Sequence, residues 1–315
     1  QQYFADVVIA GGGVAGTSAA ISAARNGLRV ILLETRESLG GLATNGYVTG
    51  VAGMIEGICK EWLQRMKDDG LLVDTPHTPA VDPEKGKLML EQMALQAGAR
   101  IIYGVTVADC AVENGRLQHI VAYSRSGRME FHAKYFVDAT GDAVLAAAAG
   151  VPCEVGSPEF GGLNMSSTLA FRLANVNMAA YREAAEAWAA DPERNPERLP
   201  FFQYYIYLEK QAVADGDLPY FIFPAALIYQ VPGTKPEDAD ICIMTTHSMF
   251  CHNTDAEDVS RQIMEQHQQI LWVEQFLRTC VPGFEKCRVT GIANMHGIRD
   301  SRRANLATQN RDIGS

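Results

Sequence analysis

No stretch of this 315-residue sequence is apolar for long enough to cross a bilayer as a helix. The longest near-apolar run, Ala143 to Cys153, is about half of the ~20 residues that a span requires. Basic residues are in deficit, with 27 Lys and Arg against 37 Asp and Glu. The resulting net charge of −10 argues against nucleic acid or an anionic membrane as a partner. The seven cysteines form no CxxC pair, and their odd number suits reduced thiols in a cytoplasmic protein better than a disulfide framework. No basic n-region and apolar h-region stand ahead of the first strand, so no secretion signal is read. His247, Cys251, His252 and Asp255 lie close in sequence, yet no second ligand pair accompanies them and no metal is expected. A Ser-His-Asp, Cys-His or paired-carboxylate arrangement is also missing, which leaves a hydrolase without residues to carry it.

What is present begins at residue 7, with VVIAGGGVAGTSAAISAARNGLRVILLE. A short apolar run reads as a buried parallel strand, and Gly11-x-Gly13-x-x-Gly16 then opens an alanine-rich helix ending near Asn26-Gly27. A second apolar run closes on Glu34. The first glycine permits a tight turn, the second lets backbone approach a pyrophosphate, and the third lets helix pack on strand. The helix N-terminus offers unpaired N–H groups to phosphate oxygens, with Val14 and Ala15 in its first turn. Glu34 is placed to accept a ribose hydroxyl, and Thr35 follows it. This unit predicts an adenine dinucleotide but does not separate NAD from FAD.

Apolar residues make up 47% of the chain, enough for two domains or one large one. After Glu34 comes a glycine-punctuated loop, then two amphipathic helices over 56–69 and 88–98, separated by a proline-bearing surface connection. Alternating segments from Ala99 to His132, with turns at Asn114-Gly115 and Ser126-Gly127, predict a β-meander. A return strand, Tyr135 to Asp138, runs into ATGDA. Beyond residue 157, strands near SSTLAFRLANV, YFIFPAALIYQV and DADICIMTTHS predict a second, mixed sheet. A long helix over 256–280 carries Val259, Ile263, Ile270, Val273 and Leu277 as its apolar stripe. RVTGIANMHGIRDSRR reads as a strand leading into a basic turn.

Gly40-Gly41-Leu42-Ala43-Thr44, VDATGDA, a PGF segment and GIRDSRR occur in this order, and at this point the sequence resembles the bacterial FAD-dependent oxidoreductases. Their fold is of the glutathione-reductase and fumarate-reductase type. The resemblance covers nearly the whole chain. It implies an α/β protein: a Rossmann-like FAD-binding domain with a parallel sheet and β-meander, over 1–156 and about 288–315, and a mixed α+β substrate domain over about 157–287. It implies that Gly11, Gly13 and Gly16 hold the pyrophosphate and that Glu34 and Arg36 flank the adenosine ribose. Gly40, Gly41, Leu42, Ala43 and Thr44 would lie along the ribityl and isoalloxazine portion, Val107 would meet adenine, and Ala139, Thr140 and Gly141 would form a second nucleotide-side turn. Asp142 would either touch the cofactor or cap the helix that follows. No histidine precedes His77, so non-covalent FAD is expected.

His296, Arg299, Arg302 and Arg303 are the candidate groups near the flavin ring. Of these, Arg299 is able to hold a substrate carboxylate, or else to pair with Asp300 in a surface turn. The pattern departs from the family after Arg303, where the distal flavin motif is expected and ANLATQN instead looks like the end of its helix. A section missing between Arg303 and Ala304 would account for this. The expectation is a flavin enzyme acting on a small organic molecule, with a homo-oligomer left open. The alternatives are an NAD(P)-dependent dehydrogenase and a catalytically silent dinucleotide-binding protein.

Overall fold

The computed structural model describes residues 1–53, 55–74, 78–222 and 227–305. The chain starts with a short strand β1 (Gln2–Phe4), then the fully buried β2 (Val7–Ala10), helix α1 (Val14–Arg25) and β3 (Val30–Glu34). Helix α2 (Gly57–Asp68), the short strands β4 (Leu72–Val73) and β5 (Ala80–Val81) and helix α3 (Pro83–Ala97) follow. The second helix was expected to begin near residue 88 and starts earlier. Asp82 caps it by accepting from the N–H groups of Glu84 (2.9 Å) and Lys85 (3.1 Å), and Pro83 occupies the first turn.

The alternating stretch after Ala99 divides at Gly104 between two sheets. Strand β6 (Arg100–Tyr103) joins β2 and β3, whereas β7 (Thr106–Glu113), β8 (Arg116–Ser124) and β9 (Gly127–His132) form the antiparallel meander. β1 adds to β9 in parallel, Gln2 opposite Glu130. With β10 (Tyr135–Asp138) the parallel sheet has the order β10-β2-β3-β6. Its two central strands, β2 and β3, are continuous apolar runs because both faces are covered. Val7, Ile9, Val30 and Leu32 pack against Trp62, Met66, Leu90 and Met93 of the helices. Their neighbours Val8, Ala10, Ile31 and Leu33 pack against Ile120, Met129 and Phe131 of the meander.

After α4 (Val144–Ala148) and β11 (Cys153–Val155), a second sheet takes over. Its strands are β12 (Phe171–Val176), β13 (Leu227–Gln230), β14 (Ala239–Met244) and β15 (Arg288–Ile292), in the order β13-β14-β12-β15. Every pairing in it is antiparallel, where a mixed sheet was expected. Helices α5 (Met178–Ala190), α6 (Tyr204–Asp215) and α7 (Ala256–Cys280) complete this unit. The sequence reading did not foresee α6. Phe171, Leu173, Ile241 and Ile243 meet Phe276 and Leu277 of α7 in its core.

The stripe of α7 is only partly the one expected. In its first half Gln262, Gln266 and Gln269 are fully buried, while Val259 and Ile263 are half-buried. β15 keeps the chain in the second sheet through Ile292, and β16 (Arg302–Ala304) pairs with β11. Arg303 and Ala304 are consecutive residues of that strand, so Ala304 is no part of a helix end. The rest of the expected helix end, 306–310, lies outside the described residues.

Candidate functional site

The C-terminal ends of β2, β3 and β10 open on a cavity of about 500 Å³. Ligands of parallel α/β sheets enter at this edge, where the loops between strands and helices diverge. Gly11 and Gly13 line the cavity directly after β2, with Val14 and Ala15 of the first helical turn. Gly13 is the N-cap of α1, with φ −63° and ψ 179°, and no side chain caps the helix. The first-turn N–H groups therefore face the cavity without a side-chain acceptor among the described residues. A Cβ built on Gly13 would meet no protein atom within 4 Å. Gly16 does not line the cavity: a Cβ there would fall 1.9 Å from the Gly11 carbonyl oxygen, so its role is close packing beneath the turn.

Glu34 ends β3 at the cavity wall, followed by Thr35 and Arg36. One carboxylate oxygen of Glu34 accepts from the Gly12 N–H at 2.6 Å, and the other from the Arg36 N–H at 2.8 Å. These bonds fix the carboxylate beside the glycine turn and leave lone pairs for a hydroxyl. The Arg36 guanidinium donates to the Asn294 carbonyl and so ties this corner to the distant segment after β15.

Gly40, Gly41, Leu42 and Ala43 form the next wall. Their loop is laid against the first turn, with the Gly40 N–H donating to Gly12 carbonyl at 2.8 Å. A Cβ on Gly41, whose φ is +54°, would reach within 3.0 Å of the Gly13 Cα. Thr44 departs from expectation. It is fully buried, and its hydroxyl donates to the Leu39 carbonyl at 2.6 Å, so it braces the loop from beneath instead of facing the cavity.

Val107 lines the opposite wall with Val105 and Thr106, and Ala139, Thr140, Gly141 and Asp142 complete it after β10. Asp142 is not the cap of α4. Its carboxylate accepts from the Ser301 hydroxyl, and the Ala143 carbonyl opens the helix. Capping falls instead to Thr140, whose hydroxyl accepts from the Val144 N–H (3.0 Å), and to Asp138, which accepts from the Ala146 N–H (2.8 Å). Leu33, Val144 and Met295 also line the cavity and were not foreseen. The apolar run before Glu34 held the signal for Leu33. Nothing local marks Met295, which arrives from the far end of the chain.

The basic segment around Met295 resolves into different roles. Arg302 donates to the Asp142 carbonyl (3.2 Å) and Arg303 to the Gly156 carbonyl (2.6 Å), so both are structural ties. Asp300 accepts from Asn164 (3.2 Å) and the Met165 N–H (2.6 Å), and it pairs with Arg303 at 3.5 Å. Arg299 is exposed and has no ion-pair partner among the described residues. Both ring nitrogens of His296 are buried without a hydrogen-bond partner, and burial pushes its pKa down to about 4. His247 is likewise pushed to about 4, chiefly by burial and further by the charge of Arg299. The sequence-adjacent group at 247–255 does other work: the Cys251 thiol donates to the Ser248 carbonyl, and Asp255 caps α7. No cluster of three or more His, Cys, Asp or Glu among the described residues could hold a metal, and none of the helices described is long and apolar enough to cross a membrane.

A parallel sheet with a glycine turn at an uncapped helix N-terminus, backed by a β-meander, defines a dinucleotide-binding α/β protein of the flavoprotein type. The chain belongs to the FAD dependent oxidoreductase family, whose model matches residues 6–309, and FAD is the cofactor of that family. Among curated proteins it is similar to the thiamine thiazole synthase of Sulfolobus acidocaldarius, 34% identical over 161 residues, 46% of this chain and 58% of that protein. The thiamine thiazole synthase of a Saccharolobus islandicus strain is 31% identical over 232 residues, 67% of this chain and 84% of that protein. The chain spans between 54% and 58% of the length of the first three such relatives. A geranylgeranyl bacteriochlorophyll reductase-like protein from Thermoplasma acidophilum has the same fold. It is 18% identical with a TM-score of 0.57, covering 96% of this chain and 67% of that one.

Proposed function

We propose that this protein is an FAD-dependent oxidoreductase acting on a small organic substrate. The observation that carries the reading is Gly13: its missing side chain leaves open cavity above an uncapped helix N-terminus, where a pyrophosphate fits and a Cβ would fill the cradle. The cavity walls continue along Gly40–Ala43, which gives room beyond an adenosine half.

FAD, when bound, supplies the redox chemistry. The residues of the chain bind and orient it. Gly13, Val14 and Ala15 offer backbone N–H groups to the bridging phosphates, while Gly11, whose own N–H donates to the Leu33 carbonyl, makes the tight turn that brings them there. Glu34 accepts from the ribose, with Thr35 and Arg36 beside it. Val107 meets the adenine, Gly40, Gly41, Leu42 and Ala43 lie along the remainder, and Ala139, Thr140, Gly141 and Asp142 form the facing turn. Gly16 and Thr44 hold the two loops in register. His296 is held neutral by burial; it does not line the cavity, and both its ring nitrogens are buried without a hydrogen-bond partner among the described residues.

The test is to purify the protein after incubation with excess FAD, denature it, and identify the released nucleotide chromatographically. FAD in near-stoichiometric amount is expected. Release of NAD in place of FAD would overturn the flavin reading, and release of no nucleotide would overturn the whole assignment.

A further inference from the structure

We propose that the surface formed by Arg299, Met165, Met249 and Phe250 binds the substrate, and that the substrate is an amphipathic carboxylate. Its charged head meets the Arg299 guanidinium, and its apolar body lies on the two thioethers and the phenyl ring. The proposal rests on the oxidoreductase reading and adds the substrate's chemical class.

Three chain segments converge here. Asn164 bridges to Cys251, Ser167 to Ser248 and Thr168 to Gly297, so residues 164–168 run between 248–251 and the 297–300 segment. The Met165 N–H donates to the Asp300 carboxylate at 2.6 Å, which sets Met165 against the residue that follows Arg299 in the chain. His247 contacts the Met249 sulfur at 3.0 Å, and it feels the charge of Arg299.

Two independent features mark this surface as built for a ligand. The first is electrostatic. Arg299 has an acid as its chain neighbour, yet Asp300 is turned inward onto Asn164, Met165 and Arg303. In a chain of net charge −10, this guanidinium has no hydrogen-bond or ion-pair partner among the described residues and so presents an open fork of donors, the geometry that a carboxylate fills bidentately. The second is the backbone. Phe250 adopts φ +57°, a left-handed conformation that bulky residues rarely take, and yet its side chain is 73% exposed. Strain held at an exposed ring gains no packing in the free protein and points to a contact made on binding. Met165 and Met249, 56% and 54% exposed, supply adaptable apolar surface on either side.

The surface is tied to the cofactor cavity. In the chain, Arg299 stands between Met295, which lines the cavity, and Ser301, whose hydroxyl donates to the cavity residue Asp142. Beneath it, Gln269 accepts from the His247 N–H at 2.7 Å and donates to the His247 carbonyl at 2.8 Å. The buried glutamine row thus fixes the strand end that carries Met249.

The experiment titrates FAD-incubated protein with octanoate, octanol and octylamine by calorimetry, and measures bound FAD separately in the same samples. Octanoate is expected to bind at least tenfold more tightly than octanol or octylamine, because only its head can fill the guanidinium fork with charge-assisted hydrogen bonds. Arg299→Gln should remove that preference, Arg299→Lys should retain part of it, and Phe250→Ser should weaken octanoate and octanol alike. Bound FAD should be unchanged in all three variants. Equal binding of the three probes, or an octanoate affinity unchanged in Arg299→Gln, would overturn the proposal. Octanoate binding of the expected pattern in protein that takes up no FAD would instead remove the flavin reading and leave this surface standing.

Discussion

Gly13 and Gly16 are three residues apart and both lack a side chain, yet the structure gives them opposite reasons for it. A methyl group on Gly16 would fall 1.9 Å from the Gly11 carbonyl oxygen and 3.0 Å from the Ala139 Cβ. Both neighbours are set by β2 and β10, so Gly16→Ala must push the helix off the sheet. Overpacking of this kind costs about 1–3 kcal/mol, a large share of the ~5–15 kcal/mol that holds a typical domain folded. A methyl group on Gly13 meets nothing within 4 Å, and φ −63° suits alanine. Its lower backbone entropy in the unfolded chain and its poorer N-cap preference oppose each other at about 1 kcal/mol or less each, so stability should barely move. The methyl group does occupy the approach to the first-turn N–H groups. Losing one or two charge-assisted hydrogen bonds of about 1.5–3 kcal/mol each should weaken FAD by at least tenfold. Thermal unfolding of the cofactor-free protein and a flavin fluorescence titration would separate the two effects. Gly16→Ala is expected to lower the unfolding midpoint by several degrees, and Gly13→Ala to leave it within about a degree or two. A Gly13→Ala protein that takes up FAD as tightly as the parent would refute the reasoning about the cradle. A Gly16→Ala protein as stable as the parent would refute the reasoning about packing.

Other outcomes follow from single contacts. Thr44→Val keeps the shape of a fully buried side chain but leaves the Leu39 carbonyl without its donor; a loss of about 1–3 kcal/mol in urea unfolding is expected. Gln266→Leu removes the two bonds its amide donates to Ser167 and the acceptor it offers the Thr246 hydroxyl, but Ser167 keeps Gln262 and the Ser248 N–H as partners, so a loss of about 1 kcal/mol is expected in the same assay. His247 and His296 both have folded pKa values pushed from the ordinary 6.5 down to about 4, so the unfolded chain takes up their protons first as pH falls. The stability they contribute is fully present above about pH 6.5 and is lost as pH falls through 4. Both rings are partly exposed, so about 1–2 kcal/mol each is a discounted ceiling. Urea unfolding from pH 7 to pH 4 should show the decline, and His296→Asn should flatten it; an unchanged slope in that variant would count against the buried-neutral assignment.

The sequence by itself determined the elements whose causes are local. The βαβ unit around Gly11–Gly16 is legible because strand, turn, helix and terminal acid act on one another within one crossover, and their spacing is a matter of bond geometry. The meander is legible because its turn residues and period of two are likewise local. Tertiary structure decided what depends on the direction of side chains meeting from distant parts of the chain. Thr44 reads as a loop residue open to a ligand, but the packing of α3 beneath it turns its hydroxyl onto Leu39. Asp142 reads as either a cap or a cofactor contact, and the cap is ruled out because Ser301 claims its carboxylate across 159 residues. Met295 joins the cavity only because the second sheet returns the chain to Arg36, through Asn294, 258 residues away. The glutamine row of α7 defies an apolar-stripe reading because it meets strand ends whose backbone groups need partners, a demand that exists only once the second sheet is assembled. Periodicity reports which face of an element is buried, and the fold alone decides what that face is buried against.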